Sequence, residues 1–208
     1  MAPGHEVASV VKAIATYLQA EHSGDAGVGR FLDRLDAVGS PVVASPTKPR
    51  HAKELADALV QLCAAEDEML AEIGRSIRDA ASGLDWRVDD GQYYAAGAPV
   101  GDGYRHGNMH VVLADGDDFA MGLFMLVPGV DYLDHRHKAP EFYLNLTGPS
   151  VWRIEFGQWV EMSAGSVVWN GPEQVHATRS GGSPWLSVWA WLSDVDQVCE
   201  VVEEPSRS

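Results

Sequence analysis

The amino-acid sequence predicts a mainly β protein, with one small jelly-roll-like β-barrel that follows an N-terminal helical extension. In the first eighty or so residues, apolar side chains recur at intervals of three and four, which is typical of amphipathic helices. After Trp86, Gly, Pro and Asp interrupt short runs rich in Val, Tyr, Phe and Trp, which is typical of strands joined by turns. The chain has 208 residues, of which 46% are hydrophobic and seven are Trp, a composition that can build one folded core with an extension.

The helical part is predicted to contain three helices. The first ends near His22, the second is stopped by Gly39-Ser40-Pro41, and the third is long and continues to Gly83. Their apolar faces are Val7, Val10, Val11, Ile14, Tyr17 and Leu18 in the first, Phe31, Leu32, Leu35 and Val38 in the second, and Leu55, Leu59, Leu62, Cys63, Met69, Leu70, Ile73 and Ile77 in the third. These faces are interpreted as packing surfaces.

The β part is predicted to occupy residues 105–196. It follows a helical extension over 1–84 and a glycine-rich loop over 85–104, and it precedes a C-terminal tail over 197–208. A loop of this length is uncommon unless it acts as a lid or is disordered, and a lid is the favoured interpretation. The candidate strands are Met109–Ala114, Ala120–Val127, Glu141–Thr147, Val151–Phe156, Ser166–Trp169 and Trp185–Leu192.

Charge and cysteine content exclude several classes of function. The net charge of −15 would repel nucleic acid and anionic membranes from most of the surface. Cys63 and Cys199 are far apart and lack CxxC spacing, so neither a disulfide framework nor a zinc knuckle is predicted. The N-terminus lacks the uninterrupted apolar core of a signal peptide, and no apolar run approaches about 18 residues. We therefore expect a cytoplasmic protein without a membrane span.

Polar residues at odd-numbered positions mark the segment most informative about chemistry. Side chains alternate between the two faces of an extended chain, so odd-numbered residues can point to the same side. The residues concerned are His135, His137, Glu141, Tyr143 and Asn145. Two imidazoles and a carboxylate inside a barrel form a set of N and O ligands suited to Zn, Fe, Mn, Co or Ni.

A fourth metal ligand is predicted to be His176. It follows a candidate strand and a Gly-Pro turn that would return the chain to the mouth of the barrel. His106 and His110 are left outside the predicted site, because a lone histidine is more often a structural residue. The predicted metal ligands are therefore His135, His137, Glu141 and His176.

The segment from Gly129 to Gly148 resembles the first sequence motif of the cupin superfamily. It fits the pattern Gly-x5-His-x-His-x3-Glu-x6-Gly at every specified position, and the segment from Gly157 to His176 approximates the second cupin motif. Ser163 and Ser180 depart from that second motif, which prefers proline and often has asparagine at these positions. The resemblance covers about the last hundred residues and implies a single cupin barrel that binds a metal ion.

Within the cupins, the chain more closely resembles the short bacterial dimethylsulfoniopropionate lyases. The cues are Tyr132, the run His-x-His-Lys-Ala-Pro-Glu-x-Tyr, and the Trp-Asn pair before the loop that ends in Val-His176-Ala. The resemblance implies β-elimination of this small zwitterionic substrate to dimethyl sulfide and acrylate. It also implies that Tyr143 is the general base and Tyr132 a second active-site tyrosine. A homodimer is one assembly that the sequence allows.

Two other functions remain open at the level of the sequence. The same ligands could support a cupin dioxygenase or isomerase, because fold and ligands do not fix the reaction. A cupin that binds a small molecule without turnover would also use them. Tyr143 could serve as base, as metal ligand or as both, and the four ligands do not select one metal.

Overall fold

The computed structural model describes residues 3–38, 42 and 44–205, and over these residues it shows a β-barrel built from two antiparallel sheets. The helices are α1 (Pro3–Glu21), α2 (Ala26–Val38), α3 (Ala52–Cys63), α4 (Glu68–Ala80) and α5 (Asp102–Gly107). The strands are β1 (Asn108–Asp115), β2 (Ala120–Leu126), β3 (Asp131–Arg136), β4 (Glu141–Asn145), β5 (Ser150–Ile154), β6 (Val160–Met162), β7 (Val167–Asn170), β8 (His176–Ser180), β9 (Trp185–Trp191) and β10 (Glu200–Val201).

Each sheet contains five strands. The first has the order β1-β2-β9-β4-β7 and the second the order β10-β3-β8-β5-β6. Consecutive strands β3 and β4 therefore belong to different sheets, and the short connection between them passes from one sheet to the other. The prediction of a mainly β protein, with one β-barrel that follows N-terminal helices, is confirmed.

The prediction of one long third helix is wrong, because the structure has two helices, α3 and α4, in its place. The chain turns after Cys63, and the Asp67 carboxylate then accepts hydrogen bonds from the backbone N–H groups of Met69 and Leu70, which caps the start of α4. The two helices pack closely at Gly74, where a Cβ would lie 2.9 Å from the Leu62 side chain. The apolar spacing carries across the turn, which hides the break in the sequence.

The first helix matches its predicted end closely, since α1 ends at Glu21. The second helix reaches Val38, but the predicted stop at Gly39-Ser40-Pro41 lies outside the described residues. None of the helices within the described part of the chain is both long enough and apolar enough to cross a membrane.

The helices pack on the outer face of the first sheet. Side chains from α1 to α4 share one buried apolar cluster with Phe142 and Leu144 of β4 and with Leu186, Val188 and Ala190 of β9. The other residues of these two strands point into the barrel. The interior cluster includes Tyr143 of β4 and the tryptophans of β9.

Four strands were not predicted: β3, β6, β8 and β10. Their sequences are short or rich in charged and polar residues, as in Asp131-Tyr-Leu-Asp-His-Arg136 and His176-Ala-Thr-Arg-Ser180. A polar strand gives no apolar alternation to recognise. The C-terminal segment contributes β10, which pairs with β3 next to His135 and Arg136.

Candidate active site

Four buried side chains with metal-binding groups converge inside the barrel. His135 on β3 and His176 on β8 are direct partners in an antiparallel strand pair, so they lie side by side. His137 follows β3, and Glu141 opens β4 in the facing sheet. Each of the four is at most 4% exposed. The structure thus brings together the four residues that the sequence predicted as ligands, with contributions from both sheets.

The three imidazoles present their Nε2 atoms to a common point. Each Nδ1 lies 2.8 Å from a backbone carbonyl oxygen, that of Leu133 for His135, Ala139 for His137 and Gln174 for His176. These carbonyls accept only a proton-bearing Nδ1, so each ring, when neutral, has its lone pair on Nε2. All three Nε2 atoms are buried without a hydrogen-bond partner, and the three histidines can offer ligand atoms within 4.8 Å of one another.

The Glu141 carboxylate lies beside this cluster and is held from two directions. Its Oε2 lies 3.4 Å from His137 Nε2 and 3.2 Å from His176 Nε2. Asn170 Nδ2 donates to Oε2 at 2.8 Å, and Trp191 Nε1 donates to Oε1 at 3.0 Å. Strand register explains both donors, because Asn170 and Trp191 are the cross-strand partners of Glu141.

Charge coupling within the cluster shifts the pKa values of its members. Burial acts to raise the pKa of Glu141, but His137 and His176 outweigh it and hold that pKa well below its usual range. Burial acts to lower the pKa of His137, and Glu141 reverses this, so that the pKa is raised. Burial, followed by the neighbouring His176 and His137, lowers the pKa of His135 well below its usual value. The cluster favours an ionised carboxylate beside a neutral His135.

This donor set fits a divalent transition metal ion. Buried, unpartnered imidazole nitrogens are costly unless something binds them, and a carboxylate with two outer hydrogen-bond donors is the usual arrangement around a metal ligand. Three N donors and one O donor suit Zn, Fe, Mn, Co and Ni alike, so the donor set does not select the ion.

Tyr143 lies two residues beyond Glu141 on β4 and lines the same cavity. It is 4% exposed and packs against Trp152, with ring centroids 5.0 Å apart. Burial and then the charge of Glu141 raise the pKa of Tyr143 well above its usual value. In the bare cluster this phenol stays protonated.

Tyr132 also lines the cavity and is held between two rings. Its ring stacks on Tyr104 and on His135, each with a centroid distance of 4.2 Å, and its hydroxyl accepts a hydrogen bond from Tyr94 at 2.9 Å. Asp89, Tyr93 and Tyr104 line the cavity and come from the segment before β1, so this segment forms a wall of the cavity. Burial, followed by Tyr104 and Tyr94, raises the pKa of Tyr132 well above its usual value.

The cavity contains several groups that sequence reasoning missed. It encloses about 470 Å³ of non-atom space, including its mouth. Besides Glu141 and the two tyrosines, its lining includes Asp89, Tyr93, His110, Trp189, Trp191 and Cys199. His110, left outside the predicted site, hydrogen-bonds the Tyr93 hydroxyl at 3.0 Å. The period-two pattern of β9 was the one available signal, since it places Trp189 and Trp191 on one face.

Known proteins resemble this chain over most of its length. A family model for dimethylsulfoniopropionate (DMSP) lyase matches residues 23–187. The crystal structure of DMSP lyase DddQ from Ruegeria pomeroyi DSS-3 aligns with a TM-score of 0.66 at 20% identity, covering 96% of this chain and 98% of that one. A structure reported with the DMSP lyases RdDddP and RnDddQII aligns with a TM-score of 0.66 at 16% identity, covering 97% and 100%.

The comparisons with solved structures and with the family model carry different weight. At these identities, likeness to solved structures establishes the fold. No curated protein sequence matches the chain. The family model spans most of the chain and includes all four clustered side chains, which are those of His135, His137, Glu141 and His176. The chain belongs to the dimethylsulfoniopropionate lyase family.

Proposed function

We propose that this protein cleaves dimethylsulfoniopropionate by β-elimination to dimethyl sulfide and acrylate. In this proposal His135, His137, Glu141 and His176 hold a divalent cation, and Tyr143 is the general base. The observation that carries it is the group of three unpartnered Nε2 atoms beside a buried carboxylate, next to a cavity whose lining includes Tyr132 and Tyr143.

The difficult step is removal of a proton from the carbon next to a carboxylate, because that carboxylate is already negative. A divalent cation bound by the cluster would stabilise the charge that develops on the substrate carboxylate and would offset the raised pKa of Tyr143. The proposal therefore requires the substrate carboxylate to lie at the histidine end of the cavity.

Tyr143 takes the proton from the α carbon through its phenolate oxygen. The electron pair of the broken C–H bond forms the new C=C bond, and the C–S bond at the β carbon breaks. Its electron pair leaves with sulfur, giving neutral dimethyl sulfide and acrylate. Contacts with Trp152 and Trp185 support this role, since the two rings hold the Tyr143 ring in place.

Tyr132 is proposed to orient the substrate. Its ring is fixed between Tyr104 and His135, and its hydroxyl already accepts a hydrogen bond from Tyr94. Its own proton is then free to be donated to a substrate oxygen. Aromatic walls around the cavity exclude water and attract a cation such as the sulfonium by about 0.5–2 kcal/mol.

The direct test is the release of dimethyl sulfide into the headspace over purified, metal-loaded protein supplied with dimethylsulfoniopropionate. Release should occur without oxygen and should fall at least about a hundredfold in Tyr143→Phe, as expected for loss of a general base. Metal content measured by mass spectrometry should stay the same in this variant. Tyr17→Phe is the matched control, because the Tyr17 hydroxyl lies on the helical side, 3.5 Å from the Gly165 carbonyl oxygen.

Three outcomes would contradict the proposal. Retained release in Tyr143→Phe would refute that residue as the base. Oxygen consumption in place of dimethyl sulfide release would favour the dioxygenase. Tight substrate binding without turnover would favour a binding protein.

A further inference from the structure

A second carboxylate, that of Asp89, faces the cavity that contains Glu141 and Tyr143. Asp89 is 3% exposed and belongs to the irregular segment before α5. A buried carboxylate is costly unless its charge is compensated. A group that compensates the charge of Asp89 must therefore lie next to the carboxylate or enter the cavity.

Asp89 has no ion-pair partner in the part of the chain that the structure describes. Within residues 3–38, 42 and 44–205, no Lys, Arg or His nitrogen lies within 4.0 Å of its oxygens. The nearby guanidinium groups are engaged elsewhere: Arg87 pairs with Asp85 at 2.7 Å, and Arg105 donates to backbone carbonyl oxygens of Asp90 and Ala98.

Hydrogen bonds fix the position of Asp89 without neutralising it. Its Oδ2 accepts from the Tyr104 hydroxyl at 2.7 Å, and its Oδ1 accepts from the Gly91 backbone N–H at 2.8 Å. The Asn108 side chain accepts from the Asp89 N–H and donates to its carbonyl oxygen. The carboxylate cannot turn towards solvent without losing these contacts, so it is held at the cavity wall.

The surroundings of Asp89 suit an organic cation. Tyr93 and Trp191 meet edge to face at the same cavity, with ring centroids 6.4 Å apart, and aromatic faces attract cations. The Cys199 thiol lines the same cavity as both carboxylates. Burial and then the charges of Glu141 and Asp89 raise the pKa of this thiol. One cavity is thus lined both by Glu141, which contacts the histidine cluster, and by a second carboxylate, that of Asp89.

We propose that Asp89 is the counter-ion for the cationic end of a zwitterionic substrate, whose carboxylate lies at the histidine cluster. Asp89 then determines specificity, because a neutral analogue would leave it buried and unpaired. The identification of this cation as a sulfonium rests on the proposed function.

The test uses two inert probes of the same shape that differ in charge. In 3-(trimethylammonio)propionate a quaternary nitrogen stands where 4,4-dimethylpentanoate has a quaternary carbon. Binding of each probe to the metal-loaded protein is measured by calorimetry. The wild type should bind the cationic probe at least about tenfold more tightly, and Asp89→Asn should reduce this ratio about tenfold, because it removes the charge and keeps the shape.

Asp131→Asn is the matched control. It makes the same change of charge at an exposed position on β3, outside the cavity lining, so the ratio between the probes should stay near the wild-type value. A ratio that falls equally in Asp131→Asn would mean that the net charge of the protein, and not the carboxylate at the cavity, selects the ligand. That result would overturn the assignment.

Other outcomes are equally decisive. Equal binding of both probes by the wild type overturns the assignment, whatever the variants show. If Asp89→Asn fails to fold, Asp89→Ser provides the same comparison with a smaller polar side chain. Dimethyl sulfide release by a protein that binds both probes equally would refute the role of Asp89 and would leave the proposed lyase activity intact. Strong preference for the cationic probe without dimethyl sulfide release would refute the proposed lyase activity and would leave the cation site intact.

Discussion

The two faces of the first sheet use alternate residues of the same strands for different purposes. On β4, Phe142 and Leu144 pack under the helices, whereas Glu141 and Tyr143 face the cavity. On β9, Leu186, Val188 and Ala190 lie on the outer face and Trp185, Trp189 and Trp191 on the inner one. A single step along the strand therefore changes a side chain from core packing to the candidate site.

The difference between the faces is one of energetics. Outer side chains are apolar, and each one fully buried contributes about 1.5–3 kcal/mol to stability. The inner face buries charged and polar groups, which cost stability unless they are hydrogen-bonded or bind a ligand. Outer substitutions should thus change folding with little effect on metal binding, and inner substitutions should do the reverse.

The largest effect is expected from Glu141→Gln on the inner face. This change keeps the shape of the side chain and removes the charge next to His137 and His176. Metal affinity and dimethyl sulfide release should both fall, the latter at least about a thousandfold, because the cation supplies several kcal/mol of transition-state stabilisation. Metal content and headspace gas measure the two effects.

Glu161→Gln is the control for charge alone, since Glu161 is exposed on β6. It should behave like the wild type. A metal-loaded, fully active Glu141→Gln would remove Glu141 from the ligand set.

Phe142→Ala, one residue further along β4, tests the other face. Phe142 is fully buried and stacks on Phe31 of α2, with ring centroids 4.9 Å apart. Its loss should lower the free energy of unfolding by about 3–5 kcal/mol, measured by urea denaturation. The protein that remains folded should bind metal as tightly as the wild type. If metal affinity fell as much as stability, the two faces would not be separable.

The sequence is most informative where one motif predicts both the barrel and the residues that line its cavity. The motif from Gly129 to Gly148 predicted the barrel, and the odd-numbered spacing predicted that His135, Glu141 and Tyr143 would converge. The structure brings them together, although by a different route. The chain crosses from one sheet to the other between His135 and Glu141, and period-two alternation along one strand contains no information about that crossing.

The remaining features depend on contacts between distant parts of the chain. Asp89 and Cys199 reach the cavity through irregular segments whose paths are set by tertiary hydrogen bonds, such as that between the Cys199 N–H and the Tyr93 carbonyl oxygen. Strands β3 and β8 lack apolar alternation, because their inner positions carry histidines. Local pattern is weakest where polar residues replace apolar ones, which in this chain is around the candidate site.

A smaller effect on metal affinity is expected from the residues that donate hydrogen bonds to the Glu141 carboxylate. Asn170 donates to Glu141 Oε2 at 2.8 Å, so Asn170→Ala should lower metal affinity about 10–100-fold while Trp191 still holds the other oxygen. Competition with a chelator measures this affinity. Trp191→Phe should have an effect in the same range, and the double variant should lose more than either. An unchanged affinity in all three would mean that the inner donors do not orient the carboxylate.

The smallest effect concerns His110, the inner-face neighbour of Met109 and Val111 on β1. Burial lowers the pKa of His110 below its usual value, and the opposing charge of Asp89 does not reverse this. As pH falls below about 6.5, the unfolded chain binds a proton that the folded chain refuses, so stability falls by at most about 1.4 kcal/mol per pH unit from this group. Urea denaturation of the metal-free protein between about pH 7.5 and 5 should show a shallower slope in His110→Gln. Met109→Leu, on the outer face, changes no titrating group and should keep the wild-type slope. An equal slope in His110→Gln would show that this inner-face histidine takes up its proton as readily in the folded chain as in the unfolded one.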